Sequence, residues 1–276
     1  MRDVHVGIVQ LTTSSDARAS GEAATGAIRS AARAGATIMT LPENTVFMGG
    51  ETEKRREAST RDAGWFVHFS DLARELESYL AIGSLPEAIP GSERVYNTSV
   101  LYGPDGAELA AYRKIHLFDV GDLGDGVVYR ESAAADPGDA ACLVDLPFGK
   151  VGLSICFDLR FPGLFESLAD AGAEILLIPS AFTVPTGRAH WHTLVRARAI
   201  ETQCWVIAAA QTGQNLPSRA THGHSLIVDP WGEVVADLGA GEGFEVHLLT
   251  AQKLEQARER VPTRRNRRAF RAPSGS

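Results

Sequence analysis

Apolar and polar residues alternate along the chain in a way that predicts strands and helices in succession. Short apolar runs are typical of buried strands, and longer alanine-rich or amphipathic stretches are typical of helices. The predicted strands span residues 4–11, 37–41, 80–84, 95–101, 109–115, 143–146, 151–155, 174–178, 205–210, 225–228 and 233–236. The predicted helices span residues 16–34, 63–80, 162–171 and 189–202.

Two turn sequences predict hairpins within this alternation. Gly103-Pro-Asp-Gly106 and Asp229-Pro-Trp-Gly232 each lie between two strand patterns. Hairpins pair strands antiparallel, whereas strand–helix–strand units pair them parallel, so we expect an α/β protein with mixed sheets. Residues 120–139, rich in Gly and Asp, predict a long loop. No linker or repeat divides the chain, which predicts one domain over residues 1–260 and a basic arm over 261–276.

Composition narrows the class of protein. The 276 residues are 44% hydrophobic and 22% charged, as in ordinary globular proteins, and the net charge is −7. A net negative charge does not favour nucleic acid or an anionic membrane surface as a partner. The longest apolar run, residues 175–178, is too short to span a bilayer, and the amino terminus enters a strand pattern directly. Three widely spaced cysteines predict no disulfide framework, so we expect a cytoplasmic protein.

Cys156 lies where a predicted strand ends and the chain turns towards a helix that begins near Pro162. Backbone N–H groups of such a turn and of a helix N-terminus favour a thiolate, which is the nucleophilic form of cysteine. The alternative is a core cysteine, because free cysteine is among the most buried residue types. The local pattern leaves both interpretations open.

Glu43 and Lys114 also follow predicted strands directly. A cysteine hydrolase needs a base for the thiol proton and a cation or N–H donors for the oxyanion, and these two residues could supply both. The alternative for each is an ordinary solvated charge. Their apolar and aromatic surroundings favour the first interpretation, because a charge in such a context is rarely left unpaired.

Several motifs together resemble the nitrilase (carbon–nitrogen hydrolase) superfamily over about residues 4–250. The segments that carry the resemblance are Leu41-Pro-Glu43-Asn, Tyr112-Arg-Lys114-Ile-His-Leu-Phe118, Cys156-Phe-Asp-Leu-Arg-Phe-Pro162, Ala189-His-Trp, Arg196-Ala-Arg-Ala-Ile-Glu201 and Gly223-His-Ser-Leu-Ile-Val-Asp-Pro-Trp-Gly232. The resemblance implies a four-layer α-β-β-α sandwich, a homodimer and no cofactor. It also implies a Glu43–Lys114–Cys156 triad, a second glutamate at Glu131, and hydrolysis of an amide through a thioester with release of ammonia.

Within that superfamily, residues 112–120 and 180–187 are most similar to deaminated glutathione amidases, with omega-amidases as close neighbours. This resemblance implies a small-molecule substrate, a primary amide of an α-keto acid. We expect Arg160 to hold its carboxylate, although Arg160 could instead pair with Asp158 or Glu166. Phe182 and Thr183 are expected at the same mouth of the sheet, and the N–H of Phe157 beside the oxyanion.

Three alternative functions remain open from the sequence. An N-carbamoyl amino acid hydrolase and a nitrilase would use the same triad, so the triad does not separate them from an amidase. A catalytically inactive interaction module could keep the fold and lose the chemistry. The presence of all three triad residues favours an enzyme.

The remaining histidines, cysteines and C-terminal arginines of note are interpreted as structural rather than catalytic. His190-Trp-His192 and His222-Gly-His224 could suggest a metal site, but no adjacent cysteine or carboxylate completes one, so we expect none. His192 also occupies a place where the superfamily commonly has glutamate. Cys142 and Cys204 have apolar neighbours and are expected in the core. The arginines of residues 264–271 predict a solvated tail or a dimer contact.

Overall fold

The computed structural model describes residues 1–123 and 128–271, and the side chain of Glu51 is not described. Residues 124–127 of the predicted loop and residues 272–276 of the predicted arm therefore lie outside the described residues. No helix in the described part of the chain combines the length and the apolar composition needed to cross a bilayer.

The described residues form sixteen strands and seven α-helices. The strands are β1 (Val4–Gln10), β2 (Ile38–Thr40), β3 (Tyr79–Ala88), β4 (Val95–Tyr102), β5 (Glu108–Arg113), β6 (Asp119–Val120), β7 (Tyr129–Arg130), β8 (Cys142–Leu146), β9 (Gly149–Leu153), β10 (Ile175–Leu177), β11 (Trp205–Ala208), β12 (Thr212–Leu216), β13 (Arg219–His222), β14 (Leu226–Val228), β15 (Val234–Asp237) and β16 (Gly243–Leu249). The helices are α1 (Ala17–Arg33), α2 (Glu51–Arg56), α3 (Gly64–Glu75), α4 (Pro162–Asp170), α5 (Val184–Thr202), α6 (Ala251–Arg260) and α7 (Thr263–Asn266). Two 3₁₀ turns span Glu131–Ala133 and Cys156–Arg160.

Two six-stranded sheets contain most of these strands. Their orders are β16-β1-β2-β3-β4-β5 and β15-β14-β11-β10-β9-β8. In each sheet three consecutive central strands are parallel, β1-β2-β3 in one and β9-β10-β11 in the other. The flanking strands pair antiparallel. The prediction of mixed sheets is confirmed: hairpins supply most of the antiparallel pairs, and β1–β16 and β11–β14 pair antiparallel across longer connections.

The core lies in layers on both faces of the first sheet. Alternate residues of β1 point to opposite faces, because side chains along a strand have a period of two. Val6 and Ile8 belong to an apolar cluster shared with Val151 and Leu153 of the second sheet. Val9 belongs to a second cluster, which also contains residues of α1 and α3. With α4 and α5 against the second sheet, the layers follow the expected α-β-β-α order.

Several element boundaries differ from the predictions. Helix α3 ends at Glu75 rather than at residue 80, because Glu77 adopts a left-handed conformation with φ 48° and the chain then enters β3. Helix α5 begins at Val184, where Pro185 occupies the first turn, a position that tolerates proline. Eight elements were not predicted from the sequence: β6, β7, β12, β13, β16, α2, α6 and α7. Polar residues in these segments obscure the apolar periodicity that the prediction relied on.

Helix α7 and Arg267, which follow α6, lie against the surface of α4 and α5. Arg267 forms ion pairs with Asp170 and Glu166 of α4. Arg264 donates a 3.3 Å hydrogen bond to the carbonyl of Thr202 at the end of α5. The domain boundary at residue 260 remains a prediction.

Candidate active site

Three loops bring Glu43, Lys114 and Cys156 to one end of the sandwich. Glu43 follows β2, Lys114 follows β5 directly, and Cys156 begins the 3₁₀ turn after β9. The Lys114 ammonium lies 2.8 Å from Glu43 Oε1 and 2.8 Å from Glu131 Oε2. Lys114 and Glu43 are 2% and 3% exposed, so these charges are removed from water and neutralise one another.

The carboxamide of Asn97, on β4, joins the two glutamates. Its Nδ2 donates to Glu43 Oε1 at 3.1 Å and to Glu131 Oε1 at 3.0 Å. The N–H of Phe118 donates a further hydrogen bond of 2.7 Å to Glu131 Oε2. Each carboxylate is therefore held by hydrogen bonds from other groups as well as by the lysine. Asn97 was not predicted as a site residue from the sequence.

The charges of this cluster depend on one another. Burial opposes the charge on Lys114, but the carboxylates of Glu131 and Glu43 outweigh burial and raise the pKa of the lysine. Burial would likewise raise the pKa of Glu131, but the Lys114 charge, Lys54 and the N–H of Phe118 lower it. Lys114 is therefore a permanent cation at the centre of the site.

Cys156 is buried, with 6% of its surface exposed, and lines the same cavity as Glu43 and Lys114. Its backbone is left-handed with φ 47°, and its N–H donates a 2.8 Å hydrogen bond to the carbonyl of Pro179. Such a conformation costs energy in a residue other than glycine and marks a tightly constrained turn.

The expectation of a thiolate at Cys156 is wrong for the resting molecule. Burial and the nearby charge of Glu43 raise the pKa of the thiol well above its ordinary value, although Lys114 lowers it. The turn does supply N–H groups, but the carboxylate next to the sulfur favours the protonated form. Reaction at this sulfur therefore requires the loss of its proton, and the Glu43 carboxylate is an acceptor beside it.

Asp158 ties the lysine loop to the cysteine turn. Its fully buried carboxylate accepts hydrogen bonds from the Tyr112 hydroxyl at 2.7 Å, the N–H of His116 at 3.1 Å and the N–H of Ile155 at 2.8 Å. The His116 ring lies 2.7 Å away as well. These contacts fix Lys114 and Cys156 relative to each other.

The predicted substrate-binding residues all border one cavity of about 220 Å³. Phe157, Arg160, Phe182 and Thr183 line it together with Cys156. The Arg160 guanidinium lies 5.8 Å from the ring centre of Phe157 and 5.4 Å from that of Phe182. The two rings hold the cation at the cavity wall while leaving its N–H groups available.

The alternative in which Arg160 pairs with Asp158 or Glu166 is wrong. Asp158 is occupied by the contacts given above, and Glu166 pairs with Arg267. Across residues 1–123 and 128–271, no carboxylate lies within ion-pair distance of Arg160, and the partner recorded for its guanidinium is His190 Nδ1, 3.4 Å from both terminal nitrogens. Among the described residues, its charge therefore faces the cavity without a countercharge.

Three further cations, which were not predicted from the sequence, border the cavity. Lys54, Arg130 and Arg219 line it, and the guanidinium of Arg219 lies 5.5 Å from the ring centre of Tyr129. These residues come from α2, β7 and β13, which are distant in sequence. Together with Arg160 they give the cavity a positive rim suited to an anionic molecule.

The histidines of residues 190–192 and 222–224 do not form one cluster in the structure. His190 contacts Arg160, whereas His192 and His224 both lie against Asp237. The sequence analysis found no carboxylate beside these histidines because Asp237 reaches them only through the β14–β15 hairpin. The expectation of no metal site rested on the absence of a carboxylate near these histidines, and that premise is wrong. Cys204 is buried as expected, Cys142 is half-buried, and none of the three cysteines, all in described residues, forms a disulfide.

Comparison with known proteins agrees with this geometry. A family model described as carbon–nitrogen hydrolase matches residues 5–259. A deaminated glutathione amidase of Synechocystis sp. is 42% identical over 240 residues, covering 86% of this chain and 88% of that protein. The human omega-amidase NIT2 is 37% identical over 275 residues, covering 98% and 96%.

Two solved structures show the same fold. The Saccharomyces cerevisiae Nit3 structure, from the nitrilase superfamily, superimposes with a TM-score of 0.86 at 33% identity, covering 95% of both chains. The C. elegans NitFhit structure superimposes with a TM-score of 0.90 at 36% identity. That match covers 97% of this chain and 66% of the NitFhit chain.

Proposed function

The chain belongs to the carbon–nitrogen hydrolase family and is an amidase, and on that premise we propose that Cys156 hydrolyses an amide of an α-keto acid in the cavity it lines. The observation that carries the proposal is that a buried cysteine shares a cavity with a cation that has no countercharge in the described part of the chain. Cys156 and Arg160 line one cavity, so an anionic group held by Arg160 brings a nearby carbonyl to the sulfur. The relatives named as amidases and the presence of Glu43, Lys114 and Cys156 together favour an enzyme over the inactive interaction module.

In the first half-reaction, Cys156 Sγ attacks the amide carbonyl carbon while the thiol proton moves to Glu43. The carbonyl oxygen becomes an oxyanion next to the Lys114 ammonium and the N–H of Phe157, the second residue of its 3₁₀ turn. The C–N bond then breaks as Glu43 returns the proton to the leaving nitrogen. The products are a thioester on Cys156 and a free amine or ammonia.

In the second half-reaction, water attacks the thioester carbonyl and Glu43 accepts a proton from that water. The new oxyanion is stabilised by the same donors, and the C–S bond breaks as the proton returns to sulfur. The acid is released and the thiol is restored. Glu131 acts through Lys114, because it helps to keep the ammonium charged and fixes its direction.

The relatives suggest two substrates with different leaving groups. Deaminated glutathione carries a keto group in place of its α-amino group, so its keto-diacid is joined to a dipeptide by a secondary amide. Its hydrolysis releases an amine, and the predicted release of ammonia applies only to a primary amide such as α-ketoglutaramate. The cations Lys54, Arg130 and Arg219 favour deaminated glutathione, whose second carboxylate they could bind at the rim while Arg160 holds the first.

A substrate panel tests the proposal. Both keto-acid amides yield the same keto-diacid, so its formation is measured for deaminated glutathione and α-ketoglutaramate. Release of ammonia is measured for an N-carbamoyl amino acid and an aliphatic nitrile. We expect turnover of the keto-acid amides to be fastest. Faster turnover of the nitrile or the carbamoyl compound would refute the substrate class while leaving the triad intact.

The nucleophile is tested by two matched cysteine variants. Cys156→Ala should abolish turnover and keep the fold, because the sulfur borders an existing cavity rather than filling the core. Cys142→Ala removes a half-buried thiol on β8 and should leave turnover unchanged. Full activity in Cys156→Ala would end this proposal.

We also propose a homodimer in the cytoplasm. Ile200 and Trp231 are 48% and 53% exposed, which is unusual for large apolar side chains and suits a contact between two copies. The free cysteines suit a reducing compartment. Sedimentation of the purified protein as a monomer at micromolar concentration would contradict the dimer.

A further inference from the structure

A cluster of His192, His224 and Asp237 lies outside the catalytic cavity. His192 Nε2 is 3.1 Å from Asp237 Oδ2. His224 Nδ1 is 2.9 Å from Asp237 Oδ1 and 3.2 Å from Oδ2. The three ligand atoms all lie within 4.8 Å of one another. We refer to these residues as the histidine–aspartate cluster.

The backbone holds this cluster in place. His224 has a left-handed φ of 56°, its N–H donates to the carbonyl of Gly239 at 2.7 Å, and its carbonyl accepts from Trp191 Nε1 at 2.7 Å. The N–H of Gly239 donates to Asp237 Oδ1 at 2.9 Å. His192 lies on α5, next to the buried Trp191. All three side chains therefore project from fixed backbone, which lowers the ordering cost of binding an ion.

Two of the three ligand separations match those of a tetrahedral metal site, and the third, between the two imidazole nitrogens, is within 4.8 Å. Zinc bonds to imidazole nitrogen and carboxylate oxygen are about 2.0–2.1 Å, which places neighbouring ligand atoms roughly 3.3 Å apart. The separations of 3.1 and 3.2 Å from Asp237 Oδ2 to the two imidazole nitrogens are close to that value. Asp237 Oδ1 would keep its bond to Gly239, which orients the carboxylate as outer contacts do in metal sites.

Two further side chains lie near the cluster, the ring of His222 and the charged side chain of Arg188. The ring of His222 stacks on that of His224 with centres 4.6 Å apart. Arg188 is the cation that would oppose binding.

We propose that the histidine–aspartate cluster binds a divalent transition-metal ion such as Zn²⁺ through His192 Nε2, His224 Nδ1 and Asp237 Oδ2. A fourth position is left for water. Imidazole and carboxylate together suit this class of ion better than Mg²⁺ or Ca²⁺, which prefer oxygen ligands alone. The site is separate from the reaction and requires no step of the mechanism above.

The site lies directly behind one wall of the catalytic cavity. The N–H of His222 donates to the carbonyl of Phe182 at 3.0 Å, and the rings of Phe182 and Trp191 are 4.8 Å apart. A bound ion would cross-link α5 to the β14–β15 hairpin at this wall. We therefore expect the ion to raise the thermal unfolding temperature, because it binds only the folded chain.

Titration of the full chain with Zn²⁺ tests the proposal. The Cys156→Ala variant serves as the parent, so that the catalytic thiol cannot bind the metal, and calorimetry gives the stoichiometry and affinity. We expect one Zn²⁺ per chain, with an affinity at least about tenfold lower in His192→Gln and in Asp237→Asn. His5→Gln is the control, since it removes an exposed histidine of β1 far from the cluster in the fold.

Co²⁺ gives an independent measurement of the ligand set. The visible spectrum of bound Co²⁺ should be that of a tetrahedral site without a thiolate charge-transfer band, and His192→Gln should abolish it. Unfolding temperatures of metal-free parent and variants show whether each variant is folded. The proposal is overturned if the parent binds no Zn²⁺ at micromolar concentration, or if His192→Gln binds as tightly as His5→Gln.

Discussion

The hydroxyl of Tyr112 donates a 2.7 Å hydrogen bond to the fully buried carboxylate of Asp158. Tyr112 lies two residues before Lys114, and Asp158 lies two residues after Cys156. This bond therefore joins the segment that carries the cation to the segment that carries the nucleophile. Its role is to position both groups, and a variant that breaks it should impair the rate more than the binding of substrate.

Tyr112→Phe tests that role. The variant leaves a buried charge with one donor fewer, which should lower the free energy of unfolding by about 1.5–3 kcal/mol. We expect kcat to fall while KM changes little, because the cavity wall is kept. Urea unfolding and steady-state kinetics measure the two effects.

Tyr102→Phe is the matched control for that experiment. Tyr102 is also buried, on β4, but its hydroxyl has no hydrogen-bond partner among the described residues. Removal of this hydroxyl should change neither stability nor kcat appreciably. Equal losses in the two variants would mean that the Tyr112–Asp158 bond has no special role.

Lys114→Met should affect both rate and stability. Loss of a single oxyanion donor costs roughly 10²–10³ in rate, so turnover should fall by at least that factor. The two glutamates would then be buried without a countercharge, which should cost about 3–5 kcal/mol of stability. Kinetics and urea unfolding measure these changes.

The double variant Lys114→Met/Glu131→Gln separates the two effects. The second substitution removes one of the two buried carboxylates that had faced the lysine, so stability should partly recover while turnover stays low. Recovery of turnover in the double variant would show that Lys114 does not stabilise the transition state. Unchanged stability in Lys114→Met would show that the two glutamates do not need the lysine as a countercharge.

Glu43→Gln should make Cys156 more acidic and the enzyme slower. In the unaltered chain the negative charge of Glu43 is one cause of the raised pKa of the thiol, so its removal should lower that pKa. The thiolate fraction at any pH below the pKa then increases. Turnover should nevertheless fall by about 10²–10⁴, because the base is missing.

Alkylation by iodoacetamide as a function of pH measures the thiol in that variant. A Cys142→Ala background removes the half-buried thiol from the measurement. The midpoint of the alkylation profile should lie at lower pH in Glu43→Gln than in its parent. A higher midpoint, or turnover that rises with the thiolate fraction, would contradict the assignment of Glu43 as base.

Arg160→Gln should raise KM for an anionic amide by roughly 10- to 100-fold, the effect of about 1.5–3 kcal/mol from charge-assisted hydrogen bonds. A neutral short-chain amide is the internal control, because it offers no carboxylate to the guanidinium. Its kcat/KM should change little. Arg160→Lys keeps the charge without the bidentate geometry, so its KM for the anionic amide should lie between those of the unaltered enzyme and Arg160→Gln. Equal losses for both substrates would mean that Arg160 only shapes the turn.

The sequence predicts those site residues that lie next to a strand end. Glu43, Lys114 and Cys156 follow apolar runs directly, so their convergence could be expected from the ends of neighbouring strands. Asn97 lies within β4, and its 54-residue separation from Glu43 leaves no local signal. The protonation state of Cys156 also required the structure, because it depends on the depth of burial and on the distance to Glu43.

The contacts of Arg160 and of the histidines show the same limitation. Sequence spacing places Asp158 and Glu166 near Arg160, yet both are occupied by residues from other segments. His192 and Asp237 are 45 residues apart and meet only because the β14–β15 hairpin folds against α5. Long-range pairing of this kind depends on register, which local patterns do not specify.

The buried, protonated state of Cys156 has a consequence for the durability of the enzyme. Peroxides and other oxidants attack the thiolate form of exposed cysteines, which passes through sulfenic acid to irreversibly oxidised acids. A thiol that is 6% exposed and whose pKa is held high by burial and Glu43 offers little of that form between turnovers. In the proposed mechanism, the carboxylate that takes the proton of the nucleophile therefore also disfavours its oxidation while the cavity is empty.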